Sequence, residues 1–207
     1  MAALVVLNQA RLWHKHGMVN SRARSDRTRK PLDAARLDEL ALAYVARFAT
    51  SRTKLTRYLA RKIRESEWVG DDDGMTSCEV VVAKMTRLGF VDDRQYAAMR
   101  GQAMTRRGLG VRRVKAQLWV DGIDPGDSGE AIDAAEAGAV GAALGFARRR
   151  RFGPFGAAPL DDPAQRERQV AAFARAGHSL GLARRILAIR ADDAAALAAL
   201  DDDALPD

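Results

Sequence analysis

Val114-Lys115-Ala116-Gln117-Leu118-Trp119-Val120-Asp121-Gly122-Ile123 and Gln169-Val170-Ala171-Ala172-Phe173-Ala174-Arg175-Ala176-Gly177-His178 are one pattern written twice. Steps of four residues place the first and fifth positions on one helix face. The glycine another four residues on is where a helix ends in a left-handed turn. Leu55-x3-Leu59-x3-Ile63 is a third copy without the glycine. Three copies between fifty and sixty residues apart mark an internal repeat, and a repeat unit of that size leans on its neighbours for a core.

Reading outward from these three helices, start signals recur in the same order. Asp33 caps a helix whose apolar set is Leu37, Leu40, Ala41, Tyr44, Val45 and Phe48, and Ser51 caps the helix of Leu55, Tyr58, Leu59 and Ile63. Thr76-Ser77-Cys78-Glu79 has the form of a capping box opening a helix through Val81, Val82, Met85 and Leu88 to Gly89. Asp92 or Asp93 then caps a helix with Tyr96, Met99, Ala103 and Met104, which stops at Arg107-Gly108. Gly110 precedes the helix of Val114, Leu118 and Trp119, and a weaker helix runs from about Ser128 to Ala137. The last round comprises Val140 to Arg151, a Gly/Pro-rich loop, Asp162-Pro163 opening the helix to Gly177, and Ser179 capping Leu182, Ala183, Ile186 and Leu187.

The reading is all-α, with three tandem three-helix repeats at 33–90, 91–137 and 138–190 forming an elongated, bent array. A basic arm (1–32) precedes them and an acidic tail (191–207) follows, both expected to be disordered. The arm reads either as a loose phosphate contact or as an unselected extension. Composition agrees: 47% of residues are hydrophobic, much of that alanine, and only 6% are aromatic, which favours helices over one large core. The one cysteine, Cys78, excludes an internal disulfide and a thiolate zinc site. No apolar run nears the ~18 residues of a membrane span, and Met1–Leu7 is too short for a signal core. The cytoplasm is the expected location.

Lys and Arg number 34 against 27 Asp and Glu, a formal charge of +7, and polyanions are plausible partners for such a balance. Chemistry is sparse. His14, His16 and His178 have no nucleophile in a recognisable triad pattern. Asp71-Asp72-Asp73 lacks the alternating ligands of a calcium loop, and Gly108-Leu109-Gly110 lacks the third glycine of a dinucleotide fingerprint. Neither an enzyme nor a bound cofactor or metal is expected.

Four stretches resemble the RecX family: Ser51-Arg52-Thr53-Lys54-Leu55-Thr56-Arg57-Tyr58-Leu59-Ala60-Arg61-Lys62, Arg87-Leu88-Gly89-Phe90-Val91-Asp92-Asp93-Arg94-Gln95-Tyr96-Ala97, Arg106-Arg107-Gly108-Leu109-Gly110-Val111-Arg112-Arg113-Val114-Lys115, and Ala176-Gly177-His178-Ser179 with Ala183-Arg184-Arg185-Ile186-Leu187. They fall in family order across about residues 33–190. The resemblance implies tandem three-helix units and a monomer that binds the RecA recombinase filament and its single-stranded DNA. It also implies modulation of RecA, usually as inhibition, in DNA repair and recombination. The acidic interval Asp71–Gly74 and both chain ends depart from the family pattern.

Lys54, Arg57, Arg61 and Arg64 recur at i, i+3, i+7 and i+10 and form one stripe. With Arg52 and Lys62 on the same helix, and Arg106, Arg107, Arg112, Arg113 and Lys115 around the Gly-x-Gly loop, they are the candidate filament-binding face. A solvated face serving solubility is the competing reading of these charges. A helix-turn-helix DNA-binding regulator is the alternative function; its reading helix would be Glu79-Val80-Val81-Val82-Ala83-Lys84-Met85, which is poor in base-reading side chains.

Overall fold

A computed structural model describes residues 29–191 and 193–202. The basic-arm reading, with His14 and His16, lies almost wholly outside them. Ten helices are described: α1 (Ala34–Val45), α2 (Arg52–Glu65), α3 (Met75–Arg87), α4 (Asp93–Arg106), α5 (Val111–Val120), α6 (Pro125–Ala137), α7 (Ala139–Arg150), α8 (Pro163–Ala176), α9 (Leu180–Ala188) and α10 (Ala194–Asp202). The class is all-α.

Most starts are built by the side chains that the sequence offers. Asp33 accepts from the Arg36 amide, Ser51 from Lys54, Asp92 from Gln95, Asp162 from Ala164 and Gln165, and Ser179 from Leu182. Each satisfies an amide that the first turn leaves without a partner. The choice between Asp92 and Asp93 resolves to Asp92. The capping box at Thr76 is not formed. α3 begins two residues earlier, with Gly74 in the N-cap position, and Asp73 accepts from the Met75 and Thr76 amides while Asp72 accepts from the Gly74 amide and the Ser77 hydroxyl. These bonds hold both carboxyls below the usual carboxylate range, for Asp72 first through Ser77 and for Asp73 first through the Thr76 amide. Asp72 and Asp73 therefore build the start of α3.

Three hydrophobic clusters form the core. Leu37, Ala41, Leu55, Leu59, Cys78, Val81 and Met85 come from α1–α3. Tyr96, Ala97, Met104, Val114, Leu118, Ala131 and Ala135 come from α4–α6. Val140, Ala143, Leu144, Val170, Phe173, Ala183, Ile186 and Leu187 come from α7–α9. Cys78 is fully buried, and burial pushes its thiol up. Leu55, Leu59, Val114, Leu118 and Phe173 are all buried to 1% exposure or less, so the repeated pattern marks the innermost face of each middle helix.

Two stretches differ from expectation. Pro31–Leu32 (β1) pairs in parallel with Glu67–Trp68 (β2), and the Leu32 side chain enters the first cluster, so ordered packing begins inside the stretch read as an arm. The acidic tail contains α10, whose Leu200 is buried in the third cluster. An Ala- and Leu-rich segment loses little entropy in a helix and needs only one apolar anchor to dock.

Candidate functional site

The middle helices also join the clusters to one another, and the same construction is used twice. At the first joint the N-terminus of α2 meets the end of α5. The Ser51 hydroxyl donates to the Asp121 carbonyl at 2.7 Å, and the Thr53 hydroxyl donates to the Gly122 carbonyl at 3.1 Å. At the second joint the N-terminus of α5 meets the end of α8. The Gly110 amide donates to the Ala176 carbonyl at 2.9 Å, and the Arg112 amide donates to the Gly177 carbonyl at 3.2 Å. In the repeat, Ser51 corresponds to Gly110, Thr53 to Arg112, Asp121 to Ala176 and Gly122 to Gly177. Equivalent carbonyls are thus satisfied at both joints, by hydroxyls at the first and by backbone amides at the second.

Both glycines of the helix ends have positive φ, 74° at Gly122 and 94° at Gly177. A side chain at Gly110 would sit 2.3 Å from the Gly177 carbonyl carbon. The Gly108-Leu109-Gly110 loop thus packs against the chain's own third helical unit.

A polar network surrounds the first joint. Asp121, 5% exposed, accepts from the Tyr96 hydroxyl at 2.8 Å and from Gln117 at 3.1 Å; Lys54 and Arg100 lie 3.9 Å and 3.7 Å away. Lys54 donates to the Tyr96 oxygen at 2.9 Å. Burial, and then the bond to Asp121, pushes the Tyr96 phenol far above its ordinary value. Asp93, also buried, accepts from the Arg52 amide and from its Nε, while the same guanidinium reaches Asp127 at 2.9 Å. Arg57 donates to the Val120 carbonyl at 2.9 Å.

The candidate cations therefore divide. Arg52, Lys54 and Arg57 hold the first joint. Arg61 and Lys62 pair with Glu65, and both lie over the Tyr58 ring. Lys115 pairs with Glu136 at 2.8 Å. Arg64, Arg106, Arg107, Arg112 and Arg113 are exposed and carry no side-chain ion pair among the described residues. The stripe on α2 is real as helix geometry, but its first half is structural. The structure adds Trp119, read as an apolar residue of its helix but 80% exposed. Its angular position held the signal: one residue beyond Leu118 and five beyond Val114 lies well off the buried face.

His178 packs between Phe146 and Phe173, 5.5 Å from each ring, and its Nε2 lies 3.1 Å from the Gly108 carbonyl. A carbonyl only accepts, so Nε2 carries the proton. Burial holds the imidazole below its ordinary value, with the Gly108 bond opposing. The unfolded chain takes up a proton near pH 6.5 that the folded chain resists. This contribution to stability is thus present above that pH and is lost as pH falls. Urea titrations at pH 7.5 and 5.5 are expected to show a smaller acid loss in His178→Gln, which keeps a donor but does not titrate. An equal loss in both proteins would contradict the assignment.

No protein-family model matches the chain. The regulatory protein RecX of Myxococcus xanthus is 32% identical over 157 residues, covering 73% of this chain and 83% of that protein. The chain belongs to the RecX family of regulatory proteins. A RecX protein of Stenotrophomonas maltophilia (strain K279a) is 29% identical over 167 residues, covering 81% of this chain and 94% of that one. The fold agrees with a crystal structure of a regulatory protein RecX at a TM-score of 0.55, with 18% identity, over 74% of this chain and 70% of the other. Three of the four stretches that resemble RecX, at Ser51, Arg106 and Ala176, contain the joints. No helix among the described residues is long and apolar enough to cross a membrane, and no group of three or more His, Cys, Asp or Glu among them is placed to hold a metal.

Proposed function

We propose that this RecX-family protein binds the RecA–DNA filament as a monomer and limits RecA activity, with no catalysis of its own. The observation that carries this reading is the set of exposed, unpaired arginines at Arg64, Arg106, Arg107, Arg112 and Arg113 in a chain of this family. Arginine's planar fork suits both phosphates and acidic recombinase side chains. Arg52, Lys54, Arg61, Lys62 and Lys115 support the surface indirectly, by fixing the helices that carry it, whereas Arg57 is exposed and donates from one guanidinium nitrogen to the Val120 carbonyl. The helix-turn-helix alternative gains nothing from α3, whose exposed face is Thr76, Glu79, Val80, Ala83 and Arg87.

The test is co-sedimentation with RecA filaments on single-stranded DNA, with naked DNA and nucleotide-free RecA alongside, and with ATPase followed across a salt series. Saturable binding above both controls with a reduced ATPase is expected. Arg112→Glu with Arg113→Glu should weaken filament binding by about tenfold or more, with helicity unchanged, since two charge-assisted interactions are reversed. Full-strength binding by that variant would remove α5 from the interface. Failure of the wild type to sediment with filaments would end the reading.

A further inference from the structure

Helix α5 buries Val114 and Leu118, packs Val111 and Gln117 partly against the protein, and turns Arg112, Arg113, Lys115, Ala116, Trp119 and Val120 to solvent, with Trp119 at 80% and Val120 at 51% exposure. Isolated apolar residues are common on surfaces. Trp119 is set apart by what surrounds it. Arg112 lies two turns before it on the same side, Arg113 lies on the line that leads to Val120, and both are exposed without ion pairs. Beyond the helix end, Arg57 is held beside Val120 by its bond to that carbonyl. Lys115, nearer the ring, is balanced by Glu136, and Asp121 is buried with its carboxylate occupied. A helix about 15 Å long thus presents a solvent-facing indole between cations at both ends.

We propose that this face of α5 is a stacking site for single-stranded DNA, with Trp119 as the base platform and Arg112, Arg113 and Arg57 on the flanking phosphates. Every nucleotide offers an aromatic face beside a negative charge, which matches a ring between guanidinium groups and requires no particular base. A protein partner would have to supply an apolar pocket bordered by acids on both sides. The inference deepens the filament reading, because it assigns α5 to the strand in the filament and leaves the recombinase to other surfaces.

The test uses the full-length protein and two fluorescent strands of about 20 nucleotides, longer than a typical site, at low salt. One is oligothymidine and the other is abasic, with the same phosphates and no rings. The wild type should prefer oligothymidine. Trp119→Ala should weaken that binding between about 5-fold and about 150-fold, the range for loss of one base–aromatic stack, and should bind both strands alike. Trp119→Phe should retain most of the preference. Arg112→Ala and Arg113→Ala should each flatten the salt dependence by about 0.7 in log–log slope for every phosphate that is no longer neutralised. Circular dichroism checks that the exposed substitution leaves the helices intact. No preference for the base-bearing strand in the wild type, or undiminished binding by Trp119→Ala, overturns the proposal. If Trp119→Ala loses the filament yet keeps naked oligothymidine, the ring meets protein and the proposal is equally overturned. The filament reading fails separately, on wild type that binds oligothymidine but does not sediment with filaments.

Discussion

Gly110→Ala is expected to destabilise the protein by about 3 kcal/mol, although the residue lies outside every helix and its φ of −80° suits alanine. The new Cβ would stand 2.3 Å from the Gly177 carbonyl carbon, 2.4 Å from its oxygen and 2.5 Å from the His178 nitrogen. All three are backbone atoms of a helix end already held by two hydrogen bonds, so no flexible side chain can give way. Overpacking of this kind costs about 1–3 kcal/mol, and each amide-to-carbonyl bond broken at the joint adds about 0.5–1.5 kcal/mol. Gly89→Ala is the control: φ there is +76° with nothing within 4 Å of the new Cβ, so only backbone strain of about 1 kcal/mol is expected. Urea unfolding of the two variants separates joint from strain. If Gly110→Ala is no worse than Gly89→Ala, the second joint is not tight in solution. Hydrogen exchange should show the Gly110 and Arg112 amides losing protection in the first variant alone.

Asp121→Ala carries the second large effect, also about 3 kcal/mol. The substitution leaves the buried Tyr96 hydroxyl without its acceptor and brings Lys54 and Arg100 together without their shared carboxylate. Breaking a fully buried pair costs about 3–5 kcal/mol. The lower figure applies here because the Lys54 and Arg100 side chains are 34% and 37% exposed and partly screened by water. Asp121→Asn keeps an acceptor for Tyr96 and should cost less. Equal losses in the two variants would mean that charge, not the phenol's bond, holds the network. The sign with pH also follows. The Tyr96 phenol titrates above its ordinary value when folded, so its contribution is whole below about pH 10 and declines as pH rises beyond it. Removing Asp121 should lessen that alkaline loss without abolishing it, because burial is the larger cause.

The two joints explain why some sequence signals were legible and others were not. Caps and helix faces are local: Ser51 and Asp92 could be assigned because an N-cap needs only the three residues that follow it. Asp93 could not be told from Asp92 by sequence, since its partner Arg52 lies 41 residues away. The Thr76 capping box failed for a local reason instead. Asp73, in the preceding loop, takes the Thr76 amide that Glu79 would have capped, and α3 already starts ahead of it at Met75.

By itself, then, the sequence determined the all-α class, most of the places where helices start and stop, the buried face of each middle helix and the resemblance to RecX. Those properties depend on spacing and capping within one or two helical turns. Only the tertiary structure decided which cations are committed to internal bonds and which face outward. It alone revealed that Gly110 is a point of close packing and that Trp119 stands in solvent. A charge or a ring on a helix looks the same in sequence whether its partner is water or a carbonyl 63 residues away, as Val120 is for Arg57. That distinction is made only when helices distant in the chain come together.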